Sequence, residues 1–137
     1  MNHTPKVLRD AADLINRQGL HSGDQFVGPD GELDLTAAIF KAVALILPGS
    51  FRTNADTAIA HIKDSPGAMA AIRAVYDTLE AAYPEVHDED DVIDTVSYWA
   101  TEGNFGPDQQ PPSTSEVIGR LLRVADALEK QDTTLAA

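Results

Sequence analysis

Cysteine is absent from the 137 residues, which excludes disulfides, thiolate zinc sites and thiol nucleophiles together. Positive charge is scarce: 10 Lys and Arg stand against 22 Asp and Glu, for a formal net charge of −12. That balance argues against direct nucleic-acid binding, which needs a positive field along the phosphates, and against docking on anionic lipid. Long apolar runs are missing as well. The longest, Ala42 to Leu47, lies between Lys41 and Pro48, and even the wider segment 36–47 falls well short of the roughly 20 residues of a membrane-spanning helix. The opening residues Met1-Asn2-His3-Thr4-Pro5-Lys6 carry no basic region followed by an apolar stretch, so no signal peptide is read there and a cytoplasmic protein is expected.

What remains is enough for a core. An apolar fraction of 43% argues against general disorder, and the length suits one domain. The pattern predicts a mainly α protein: a compact single-domain bundle of about six helices over residues 1–137, with one small β-hairpin near residues 26–35 and a short disordered tail after about residue 131.

The first helix is expected from Thr4 as cap and Pro5 in the first turn, with Val7, Leu8, Ala11, Ala12, Leu14 and Ile15 on one stripe and Gly19 as terminator. The last opens on the capping-box pair Ser113 and Glu116 and carries Val117, Ile118, Leu121, Leu122, Val124, Ala125 and Leu128. Between them, Thr36–Leu47 is apolar nearly all round and is expected to be the buried central helix. Asn54 caps a short helix, Ser65-Pro66 opens the next, and Asp88–Asp91 head a helix that bears Val92, Ile93, Val96 and Trp99 before Gly103. Phe26-Val27 and Leu33-Leu35 alternate around Gly28-Pro29-Asp30-Gly31, which signals the hairpin. On that hairpin Asp30, Glu32 and Asp34 would share one solvated face.

No catalytic motif stands out. The four histidines, His3, His21, His61 and His87, form no helical metal-binding pair. His87, Glu85 and Asp88–Asp91 offer donors to a divalent cation, but the order of residues fails the EF-hand pattern, and an acidic first turn favoured by the helix dipole is the simpler reading. No serine sits in a nucleophile elbow, and neither glycine-bearing loop has the spacing of a phosphate loop. No catalytic residue, metal or cofactor is therefore assigned. Aromatic residues make up only 6% of the chain, yet Tyr98, Trp99 and Phe105 fall close together. Trp99 is in core register with Val92 and Val96; the competing reading is an anchor patch, since aromatics concentrate binding energy at interfaces.

The order of features resembles a family of small actinobacterial proteins of unknown function. It rests on the Ala11-Ala12 first helix, Gly19-Leu20 leading to an Asp-Gly hairpin, the helix start Asp34-Leu35-Thr36-Ala37-Ala38-Ile39, and Trp99 before the Ser115-Glu116-Val117-Ile118 helix. Members of that family share a Cys-x-x-Gly-Ala element and a Trp-Asn-Asp motif. In this chain Asp34 stands where they carry Cys and Ala37 where they carry Gly, and the Asn-Asp pair is absent unless Glu102 and Asn104 replace it after a shift. The resemblance implies a fold and a cellular setting, and no activity.

Charge gives the strongest functional signal. From Ala74 to Gly119 there are 11 acidic residues and no Lys or Arg, whereas the other 91 residues hold 11 acids and 10 bases. Solubility alone does not require such segregation. The first expectation is therefore a non-enzymatic interaction module that presents the acidic surface of residues 74–119 to a protein partner, basic in character. Its candidate residues are Asp88, Glu89, Asp90, Asp91, Tyr98, Trp99, Glu102, Asn104 and Phe105. Electrostatic complementarity would steer such a partner. The alternative is a small-molecule-binding protein or enzyme with its pocket between the hairpin, the central helix and the Trp99 loop. A third reading is mimicry of nucleic acid by carboxylates, which the bunching of Asp88–Asp91 at one helix start disfavours. Homo-oligomerisation through the amphipathic outer helices stays open.

Overall fold

Most residues of the predicted helical stripes meet in one shared core, with Leu45, Ile46 and Leu122 left exposed. The computed structural model describes residues 3–21, 26–79, 88–103 and 110–136, and among these it contains seven helices and no sheet. They are α1 (Thr4–Gln18), α2 (Leu35–Ala44), α3 (Ser50–Thr53), α4 (Ala55–Lys63), α5 (Pro66–Asp77), α6 (Glu89–Glu102) and α7 (Thr114–Ala136). Helix α1 packs chiefly on α7 and α2, while α5 touches α1, α2, α4, α6 and α7. Leu8, Ile15, Leu35, Ile39, Ile72, Val75, Ile93 and Leu121 are fully buried between these elements. At about 25 cal/mol per Å2 of apolar surface, such side chains supply the main driving force for folding.

The starts of most helices follow from short polar residues that accept the orphan N–H groups of a first turn. Asn54 accepts from Thr57 N at 3.1 Å, Ser65 from Ala68 N at 3.3 Å and Asp88 from Asp91 N at 2.9 Å. Ser113 and Glu116 form the reciprocal pair, with Glu116 N donating to Ser113 Oγ at 3.1 Å and Ser113 N to Glu116 Oε1 at 3.3 Å. Helix α1 begins at its proposed cap, one residue early: Thr4 is its first residue and His3 holds the cap position without a side-chain bond. Helix α7 runs to Ala136, through the segment where a tail was expected. Gly103 ends α6 at φ +88, and a Cβ there would run into the Gln110 carbonyl, so the position admits only glycine.

Two expectations fail. The hairpin over 26–35 is replaced by isolated bridges, a parallel one between Leu20 and Leu33 and an antiparallel one between Val27 and Leu33. The Pro-Asp-Gly turn does form, with Gly31 N donating to Gly28 O at 3.1 Å and Gly31 at φ +89. Leu33, however, gives its own backbone groups to the end of α1: its N–H donates to Gly19 O at 3.0 Å and its carbonyl accepts from His21 N at 2.8 Å. With each flank bonded over a single residue, no ladder propagates.

The central helix also ends early. Residues 35–40 are buried throughout, but α2 stops at Ala44, and Leu45 takes a left-handed conformation at φ 73. Leu45 and Ile46 are consequently 77% and 73% exposed rather than buried. A left-handed, non-glycine residue costs about 1–2 kcal/mol. Leu45→Gly is expected to raise stability by about 1 kcal/mol in urea or thermal unfolding, because it relieves that strain and removes little buried surface. A drop in the midpoint would show that the Leu45 side chain contributes packing.

Candidate functional site

Three places hold the chemistry. The first is a buried carboxylate. Asp34 follows Leu33 and caps α2, so its side chain turns inward over the helix start and is 2% exposed. It accepts from Thr36 N at 2.8 Å, from the Thr36 hydroxyl, and from Ser97 Oγ of α6 at 2.6 Å. Its backbone N–H donates to Phe26 O at 2.8 Å. Burial raises its pKa above 3.8, against the opposing effect of the hydrogen bonds from Ser97 and Thr36. Asp34 therefore does not stand on a solvated face with Asp30 and Glu32. The sequence did hold a signal for this: an Asp directly before Leu35-Thr36-Ala37 is an N-cap pattern. Ser97, its partner, was not foreseen, because a serine between Val96 and Tyr98 carries no mark of its role.

The second place is the acidic front of α6. Asp88, Glu89, Asp90 and Asp91 are exposed, and Asp90 pairs with Lys63 of α4 at 3.1 Å. Asp94, one turn on, has its pKa raised by desolvation and then by Asp90, Asp91, Asp34 and Asp88. Lys63 has its pKa raised by the hydrogen bond and charge of Asp90, then by Glu89 and Asp88. Asp56, Ile59, Ala60, Lys63, Asp90 and Asp94 surround an open recess of about 360 Å3 between α4 and α6. Among the described residues, no group of three or more His, Asp or Glu is placed to hold a metal ion.

The aromatic candidates separate. Trp99 is 5% exposed and belongs to the core, with the Arg120 guanidinium 5.2 Å above its ring centroid. Arg120 Nη1 also donates to Thr78 Oγ1 at 2.9 Å, so it ties α7 to α6 and to the end of α5. Tyr98 is half-buried and packs against the core, whereas Glu102 is exposed. Asn104, Phe105, Glu85 and His87 lie outside the described residues.

The third place borders the hairpin segment and the end of the central helix, as the small-molecule alternative expected, but has α3 and not the Trp99 loop as its other wall. Val27, Leu33, Leu45, Leu47, Phe51, Lys41 and Arg52 contribute to an open groove of about 350 Å3 between the Pro29 turn, the end of α2 and α3. Beneath it Phe51, only 2% exposed, stacks on Phe40 at 5.0 Å and meets Phe26 edge-on at 5.8 Å, two rings that do not themselves line the groove. No described helix is long and apolar enough to cross a membrane.

Residues 1–127 match the model of a family of unknown function, DUF6197, and the chain belongs to that family. No curated protein and no solved structure gives a match.

Because the folded pKa of Asp34 lies above 3.8, its contribution to stability is complete below that pH and is lost as pH rises through the folded value. Asp34→Asn keeps a capping oxygen for Thr36 N and can donate its amide N–H to Ser97 Oγ, so it should fold and lose this slope. As pH rises above the ordinary aspartate value of 3.8, Tm of the wild type should fall relative to Asp34→Asn. Asp34→Ala, which removes both the cap and the Ser97 partner, should cost about 2–3 kcal/mol. Parallel pH profiles of wild type and Asp34→Asn would contradict the assignment.

Proposed function

We propose that this chain is a non-enzymatic interaction module of an actinobacterial cytoplasm, which presents the acidic start of α6 to a basic protein partner. The carrying observation is the crowding of exposed carboxylates. Asp88, Glu89, Asp90 and Asp91 occupy consecutive positions with one cation, Lys63, beside them, and the repulsion extends to Asp94. Such a field speeds encounter with an oppositely charged partner and rejects acidic ones, and it contributes more to rate and specificity than to affinity.

The scaffold suits that role. The exposed face of α6 carries the charge, while its opposite face is fixed by Val92, Ile93, Val96 and Trp99 in the core and by the Ser97 bond to Asp34. A surface held on a rigid helix loses little conformational freedom on binding.

The test is affinity capture with the wild type and with the triple variant Glu89→Gln, Asp90→Asn, Asp91→Asn, which leaves the capping Asp88 intact. A basic protein retained by the wild type, weakened by added salt and lost from the variant is expected. The salt dependence follows from screening over about 8 Å at physiological ionic strength. Identical retention by the two proteins, or no partner even at low salt, would contradict the proposal. Competition for that partner by duplex DNA would favour nucleic-acid mimicry.

A further inference from the structure

We propose that the groove between α2 and α3 is a binding site for a small amphiphilic carboxylate, with an apolar tail along Leu45, Ile46 and Leu47 and its anionic head between Lys41 and Arg52. This site is separate from the acidic front of α6 and does not rest on it.

Charge complementarity carries the proposal. In a chain of net charge −12, the groove is lined by Lys41 and Arg52 and by no carboxylate. Lys6 pairs with Asp10, Arg9 with Asp126 and Glu129, Arg17 with Asp13, and Lys63 with Asp90, and none of these four lines the groove. Lys41 has only a long contact of 3.4 Å to the neutral Gln18 Oε1, and Arg52 has no ion pair with any described residue. Two cations at one recess that has exposed leucine and isoleucine and no carboxylate in its lining are a receptor for a negative charge attached to an apolar body.

The apolar half is equally specific. Leu45 and Ile46 stand exposed at the rim, on a backbone turn that Leu45 makes at φ 73. Strain of this kind, stored in a residue that gains no burial from it, is characteristic of ligand-contacting positions. Ser50, between Gly49 and Phe51 of the groove wall, buries a hydroxyl without a hydrogen-bond partner among the described residues. The volume of about 350 Å3 lies at the small end of ligand sites and equals that of about a dozen waters. It accommodates a single tail of medium length. A second copy of the chain is a poorer occupant, because a two-fold contact would bring the Lys41 and Arg52 pairs of both copies together.

The probe is decanoate, with decanol and decyltrimethylammonium as uncharged and cationic controls, each below its aggregation concentration. Proton–nitrogen correlation spectra of the full chain follow the titration. Decanoate should produce saturable shifts confined to Lys41 and the segment Leu45–Arg52, with the two controls weaker by about tenfold or more. Lys41→Glu and Arg52→Glu lie on the surface and should leave the rest of the spectrum unchanged while each weakens decanoate by about fivefold or more. No saturable shift, equal affinity for the three head groups, or binding indifferent to charge reversal would overturn the proposal. So would saturation of the same resonances by an acidic Glu-Leu-Leu-Glu peptide with decanoate inert, an outcome that would assign the groove to protein docking.

Discussion

A carboxylate taken out of water organises this molecule. Asp34 joins three parts of the chain, two nearby and one 63 residues away: the Phe26 segment through its backbone N–H, the first turn of α2 through its cap, and α6 through Ser97. Burying a charge is unfavourable unless hydrogen bonds replace the lost water. Here three donors converge on two oxygens, and the pKa still rises, so desolvation outweighs them. The consequence is geometric. The helix that carries the acidic front is held against the helix whose far end builds the cationic groove.

That arrangement separates charge across the fold. The start of α6 accumulates carboxylates beside Lys63, and the end of α2 together with α3 offers Lys41 and Arg52 without a carboxylate at the groove. The ion pairs of α1, Lys6 with Asp10 and Arg9 with Asp126 and Glu129, involve exposed side chains and contribute little to stability. What stabilises the bundle is the continuous core from Leu8 and Ile15 to Leu121 and Ala125. The charged surfaces are thereby available for recognition.

The sequence made most helices legible because their caps are chemical: Asn54, Ser65, Asp88 and Ser113 each satisfy an N–H that the first turn leaves open. It was silent where geometry is set by tertiary contacts. Leu45 ends α2 in a conformation that leucine does not favour, so periodicity alone carried the helix on to Leu47. Leu33 gives both backbone groups to the segment after α1, while Glu32 and Asp34 on either side of it bond to Gly28 and Phe26, which an alternating pattern cannot reveal. Helix α3, four residues long, is too short to show a stripe. Among the site residues, the exposed acids of α6 were readable as a charge run, and Trp99 in register with Val92 and Val96 reaches the core. Asp34 and Ser97 were not read as a pair, since nothing in a one-dimensional pattern couples positions 63 residues apart. The departure at Leu45–Ile46 coincides with the groove.

The central claim is that Asp34 is buried and linked to Ser97 at the junction of α2 and α6. Its most direct test is the carboxyl carbon chemical shift of Asp34 followed by NMR as a function of pH. A midpoint above the ordinary aspartate value of 3.8, moved further upward when Ser97→Ala removes a donor to the ionised form, is the expected result. A midpoint at or below that value, unaffected by Ser97→Ala, would contradict the account.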